Sequence, residues 1–79
     1  MEIKILGTGC PKCKRLEEVT REAVAAAGVE ATITKVTDIS AIMAYSILST
    51  PGLVINEQVK AAGRLPSKEE IMAWLRETQ

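Results

Sequence analysis

Cys10 and Cys13 stand three residues apart in "GTGCPKCKRLEE", residues 7 to 18, where an apolar run gives way to a charged helical pattern. Such a pair suits reversible disulfide exchange, a soft metal held by two thiolates, or an inert staple. They are the only two cysteines, and the chain has 0 histidines, so a closed four-ligand zinc site would need carboxylates or a second chain. Two thiolates alone suit Cu(I), which makes a soft-metal binding or carrier protein the alternative function. A staple is poorly served here. Closing a loop of about four residues removes only about 2 kcal/mol of denatured-state entropy, where a bridge across a fold gives about 4. A reducing compartment also keeps structural disulfides open. Exchange is the leading expectation, with metal binding behind it.

The flanking residues point the same way. At the junction of a strand and a helix, Cys10 is placed as the N-cap, Pro11 as the first helical residue and Cys13 as the third. The unpaired N–H groups of Lys12 and Cys13 then face the Cys10 sulfur beside the positive end of the helix dipole. Lys12, Lys14 and Arg15 add charge of the same sign. Lowering a thiol pKa from about 8.5 to about 7 raises its thiolate fraction at neutral pH from roughly 3% to 50%. Intrinsic nucleophilicity falls about fivefold over that shift, so the net gain in attack is only about threefold. The larger effects are a better leaving group and a reduced form stabilised against the disulfide. In the expected cycle Cys10 attacks a partner disulfide, and the more sheltered Cys13, one helical turn on, resolves the mixed disulfide.

The elements that position this pair are read from the pattern of the whole chain. Seventy-nine residues form one domain, 1–79, because so short a chain buries only about 60–65% of its unfolded surface and cannot build two cores. Ten basic and ten acidic side chains cancel, so no bulk field favours nucleic acid or an anionic membrane. The longest nearly apolar stretch, "AIMAYSIL", has 8 residues, against roughly 20 for a membrane span. "MEIKIL" lacks the features of a signal peptide, and if Met1 is the natural start the expected location is cytoplasmic.

Residues 2–6 read as a strand. Leu16, Val19, Ala23, Val24 and Ala27 follow a helical period that Gly28 closes. Residues 30–36 alternate as a second strand, compatible with burial of either side. A helix between two strands is a right-handed crossover, which makes those strands parallel. Thr37 or Asp38 caps a short helix through about Ala44, with Ile39, Ile42 and Met43 expected inward. Residues 53–62 read as an antiparallel hairpin turning at Asn56 and Glu57. Ser67 and Glu70 match a capping box, and Ile71, Trp74 and Leu75 form the apolar stripe of a closing helix. The string is β-α-β-α-β-β-α, an α/β domain.

"GTGCPKC" after the first strand, "TDI" after the second, "STPGLVIN" opening the third and "AGRLPSKEEI" before the last helix together resemble the small thioredoxin-like redox-active disulfide proteins of archaea and bacteria. The resemblance spans essentially the whole chain, and its most specific parts are the C-x-x-C and the later Thr-Pro. It implies a four-stranded mixed sheet in spatial order 2-1-3-4 with helices on both faces. It also implies a protein-disulfide reductase with no cofactor beyond the Cys10–Cys13 disulfide, acting on disulfide-containing proteins and recharged by a reductase. On the same ground, the Thr50–Pro51 bond is expected to be cis and to face the cysteines, with the Thr50 backbone pairing to an extended partner segment. Pro11 and Lys12 are expected to contact the substrate, and the protein to be a monomer.

Departures from the larger relatives are plain. Gly9 precedes Cys10 where thioredoxins have tryptophan, the intervening pair is Pro11 and Lys12, and the first strand carries only Glu2 and Lys4 as charges. It therefore lacks an acidic residue like the buried aspartate that helps the larger thioredoxins deprotonate their second cysteine. Lys12, Lys14 and Arg64 are candidate contacts for a glutathione carboxylate, against the simpler reading of a solvated surface. Trp74 is expected in the core, Tyr45 as an anchor that borders the site at most, and Gly63 at a turn or bulge after the hairpin.

Overall fold

Strand β1 (Glu2–Leu6) runs through the centre of the sheet, and the first helix, α1 (Pro11–Ala27), returns along one face to the edge strand β2 (Thr32–Val36). A five-residue helix, α2 (Ile39–Met43), precedes the hairpin of β3 (Gly52–Ile55) and β4 (Gln58–Ala62), and α3 (Lys68–Thr78) closes the chain. This computed structural model describes residues 1–78, without the side chain of Thr78. The sheet order is β2-β1-β3-β4, with β1 parallel to β2 and antiparallel to β3. That is the mixed four-stranded sheet that the resemblance implies.

Alternation on the central strands divides the apolar residues between two faces. Ile3 sits between Ile33 and Ile55, and Ile5 opposite Leu53. Ile3, Ile5, Leu53 and Ile55 meet Leu16, Val19 and Ala23 of α1 and Ile71 and Leu75 of α3 in the main core. On the other face Leu6 and Val54 form a smaller cluster with Ile42 of α2, edged by Val36, Tyr45 and Ile47. The edge strand thus gives Ile33 to one face and Val36 to the other, while Thr32, Thr34 and Lys35 remain exposed.

The helix ends obey local chemistry. Gly28 adopts φ 68°, and its N–H donates to Val24 and Ala25 carbonyls, a left-handed cap that favours glycine. Asp38 caps α2 by accepting from the Ala41 N–H at 3.0 Å. At the start of α3 the Glu70 N–H donates to Ser67 Oγ and the Ser67 N–H to Glu70 Oε1, each at 3.1 Å. This is the capping box. Asn56 and Glu57 turn the hairpin with positive φ at both positions, and Gly63 turns with φ 76° just beyond it.

Three side-chain placements differ from expectation. Ile39 and Met43 are 63% and 66% exposed, and only Ile42 of α2 is buried. A helix of barely more than one turn touches the sheet along a single line, so one side chain reaches the cluster and its neighbours stand at the rim. Trp74 is half-buried at the margin of the main core, with the Arg64 guanidinium carbon 5.9 Å from its ring centroid. Ile71 and Leu75, four apart, take the central stripe and leave the indole at the edge.

Thr20 is fully buried on α1, and its Oγ1 has no hydrogen-bond partner among the described residues. A buried hydroxyl without a partner costs about 1–3 kcal/mol. Thr20→Val keeps the shape and removes that group, so it is expected to stabilise the fold by about 1 kcal/mol, a rise of about 4–8 °C in a thermal melt. A lower melting temperature would show that the hydroxyl finds a partner in solution.

Candidate active site

Cys10 lies between β1 and α1 with extended backbone, φ −67° and ψ 161°, and acts as the helix N-cap. Its carbonyl accepts from the Lys14 N–H at 3.0 Å, and its Sγ accepts from the Cys13 N–H at 3.2 Å. A helix N-terminus therefore begins on this sulfur, with Pro11 at the position where a missing N–H costs nothing. Cys10 and Cys13 are joined as a disulfide with their Cα atoms 5.0 Å apart. Cys10 is half-exposed and Cys13 is 6% exposed. One sulfur is open to a partner and the other is sheltered by the fold.

Gly7 lets the backbone approach the Cys13 side chain closely. Its N–H donates to the Val36 carbonyl at 3.0 Å, and a Cβ built on it falls 3.1 Å from the Cys13 Cβ and closer still to the sulfur. Because that sulfur is tied to Cys10, it cannot swing aside. Gly7→Ala is expected to cost about 1–3 kcal/mol through overpacking, read as a lower denaturation midpoint of the oxidised protein. An unchanged midpoint would mean that the backbone at residue 7 yields freely.

Antiparallel pairing brings the second part of the site alongside. Leu6, the last residue of β1, pairs with Gly52, the first of β3, so the loop leading to Cys10 and the segment leading into β3 leave the sheet at the same end. Pro51 is buried there, Thr50 is exposed, and the bond between them is cis. Thr8 and Thr50 share the lining of an open groove of about 280 Å³. Its remaining wall is largely apolar, from Ile39, Ile42 and Met43 of α2 and from Ile47 and Leu48. Leu48 is fully exposed. The sequence reading, which expects Ile39, Ile42 and Met43 all inward, misses this groove. The signal against that reading is the excess of apolar residues in "AIMAYSIL" over what one short helix can bury.

The other candidates have different settings. Pro11, Lys12 and Lys14 are exposed around the cysteines. Arg64 is committed elsewhere: its guanidinium meets both carboxylate oxygens of Glu70 at 3.2 and 3.0 Å and lies over Trp74. Tyr45 is an anchor, with its Oη 2.8 Å from Lys4 Nζ and 3.1 Å from Glu57 Oε1. The Glu57 carboxylate beside it, and then the tyrosine hydroxyl, hold the Lys4 ammonium above its ordinary pKa. In turn Glu57 is held below the ordinary carboxylate value, first by Lys4 and then by Tyr45. Tyr45 thus ties the segment after α2 to the central strand and the hairpin turn and is not part of the groove lining.

Among the described residues no helix is long and apolar enough to cross a membrane. No group of three or more histidine, cysteine, aspartate or glutamate side chains gathers among them in a metal-binding arrangement.

The thioredoxin domain family matches residues 1–76. The chain is 41% identical over 71 residues to a thioredoxin of Methanothermobacter thermautotrophicus, covering 90% of this chain and 92% of that protein. It is 40% identical over 74 residues to a thioredoxin of Methanocaldococcus jannaschii, covering 94% of this chain and 85% of the relative. With a disulfide-linked C-x-x-C at the start of the first helix of the same kind of sheet, the chain belongs to the thioredoxin family and is a thiol-disulfide oxidoreductase whose redox group is its own cysteine pair.

Proposed function

We propose that the protein exchanges electrons with disulfides of partner proteins, with Cys10 as nucleophile and Cys13 as resolving thiol. The observation that carries this division is the difference in access: Cys10 is half-exposed at the helix N-terminus, while Cys13 is 6% exposed beneath it. In the reducing direction the Cys10 thiolate attacks one sulfur of the partner disulfide, and the first partner thiolate leaves and takes a proton. A mixed disulfide results. Cys13 loses its proton and attacks Cys10 Sγ, the Cys10–partner bond breaks, and the second partner sulfur leaves as a thiol. Two electrons pass from the cysteine pair to the substrate.

The Cys13 N–H that donates to Cys10 Sγ stabilises a thiolate at that atom, and the positive helix end acts in the same sense. Thr50 presents its backbone to an extended segment of the substrate beside Pro51, and Pro11 and Lys12 flank the attacked bond. The groove, where five apolar side chains stand beside Thr8, Ser49 and Thr50, supports a substrate that arrives as a locally unfolded strand of mixed polarity. In this reading the protein works in the cytoplasm as a monomer, recharged by a reductase.

The test is equilibration of the Cys10–Cys13 couple against a glutathione or dithiothreitol redox series, followed by thiol alkylation and mass. A cooperative two-electron transition between about −180 and −290 mV is expected for a disulfide exchanger. Failure to form an intramolecular disulfide, or oxidation only under forcing conditions, overturns the reading.

A further inference from the structure

A small pocket lies behind the sheltered cysteine. It measures about 70 Å³, and its lining includes Gly7, Cys13, Lys14, Glu17 and Lys35. That is room for water, which needs only about 10–15 Å³ and two or more polar partners. Cys13 contributes the one thiol in this wall and Glu17 its one carboxylate. The other ionisable groups, Lys14 and Lys35, are cations and cannot accept a proton.

Glu17 reaches the pocket because it follows Cys13 by four residues on α1, and side chains four apart lie over one another on a helix. Its side chain is 19% exposed. Two cations hold the carboxylate: Arg21 donates to Oε2 from Nε at 3.3 Å and from a terminal guanidinium nitrogen at 2.9 Å, and Lys35 Nζ lies 3.6 Å from Oε1. Oε2 is therefore occupied on the solvent side by α1 itself, while Oε1 is turned toward the edge strand and the Lys35 that lines the pocket.

We propose that Glu17 is the proton acceptor for Cys13, working through water in this pocket, with Lys35 and Arg21 positioning its carboxylate. The inference rests on the resolving role proposed for Cys13. In that step the Cys13 S–H bond breaks, its proton passes through water to Glu17, and the sulfur electron pair forms the bond to Cys10 Sγ. The Cys10–partner S–S bond breaks with its electron pair on the partner sulfur. Glu17 then releases the proton to solvent, from which the partner thiolate takes one. Over the whole cycle the Cys10–Cys13 pair gives up two electrons, one to each sulfur of the partner disulfide, and both partner sulfurs end as thiols.

The ion pair keeps the acceptor ready. The hydrogen bond from Arg21, ahead of the charge of Lys35, holds Glu17 below the ordinary carboxylate pKa, so it stays ionised throughout the neutral range and loses its capacity only in acid below that range.

A carboxylate that acted only as a charge would do the opposite. A negative neighbour disfavours a thiolate, so removing it would ease the ionisation of Cys13 and speed resolution. The sign of the Glu17→Gln effect therefore separates the two roles. Reduced protein is mixed with 5,5′-dithiobis(2-nitrobenzoate): a first nitrothiolate is released when Cys10 attacks, and a second when Cys13 resolves the mixed disulfide.

In Glu17→Gln the first phase is expected to stay within about twofold and the second to slow about 10²-fold at pH 6–7, the low end of general-base effects. Its rate should climb about tenfold per pH unit, as for a thiol that must ionise unaided, while wild type is nearly flat from about pH 5 to 8. Glu17→Asp, which retains the carboxylate, should recover part of the rate. A second phase unchanged or faster in folded Glu17→Gln overturns the proposal. So does a wild-type second phase that climbs tenfold per unit over the same range, a result that requires no variant to fold. Absence of any second release from wild type instead overturns the exchange reading on which the proposal rests.

Discussion

Cys10→Ser is expected to reduce turnover on a protein disulfide such as insulin to background, because a serine hydroxyl is not appreciably ionised near neutral pH. Cys13→Ser is expected to retain attack within a few fold and then stop. One partner molecule should remain bound to each Cys13→Ser chain, visible as a mass increment under non-reducing conditions and lost with dithiothreitol. The two variants test the division of labour from opposite sides. Accumulation of the adduct on Cys10→Ser, with Cys13→Ser inert, would reverse the roles and would contradict the 6% exposure of Cys13.

Leu16→Ala is expected to have the largest effect on stability. Leu16 is fully buried where α1 crosses the sheet, in the cluster formed by β1, β3 and α3. Truncation of a buried leucine costs about 2–5 kcal/mol. A chain of 79 residues has about 4–12 kcal/mol in all. The melting temperature should fall by about 10–30 °C, in both oxidised and reduced protein. By contrast, opening the Cys10–Cys13 bridge removes at most about 2 kcal/mol, since its loop is so short. The pair can therefore cycle between redox states while the core holds the fold. A larger loss of stability on reduction than in Leu16→Ala would mean that the disulfide organises the core.

The positions of α1, its glycine cap, the hairpin turn and the capping box of α3 were legible because each depends on residues within about four positions of one another. The same locality made the cysteine pair legible: an N-cap sulfur, Pro11 and the Cys13 N–H all lie within one helical turn. The order of strands in the sheet was not written in periodicity. It came from the resemblance, and the antiparallel register of Leu6 with Gly52 is what brings Thr50 and Pro51 to the cysteine end.

Burial on the second face was misread for Ile39 and Met43, since apolar type alone does not say how far a five-residue helix can reach over a sheet. Glu17 stands four residues before Arg21, a spacing that in sequence reads as an ion pair on an outer helix face, although it also follows Cys13 by one turn. Its place beside the Cys13 pocket depends on Lys35 arriving from β2. The local elements, their caps and the thiol at a helix start follow from short stretches of chain, because backbone chemistry over a few residues sets them. Which sulfur is sheltered, which apolar side chains line a groove and which carboxylate stands near the buried thiol emerge on folding, because they depend on surfaces that segments far apart in the chain cover or leave open.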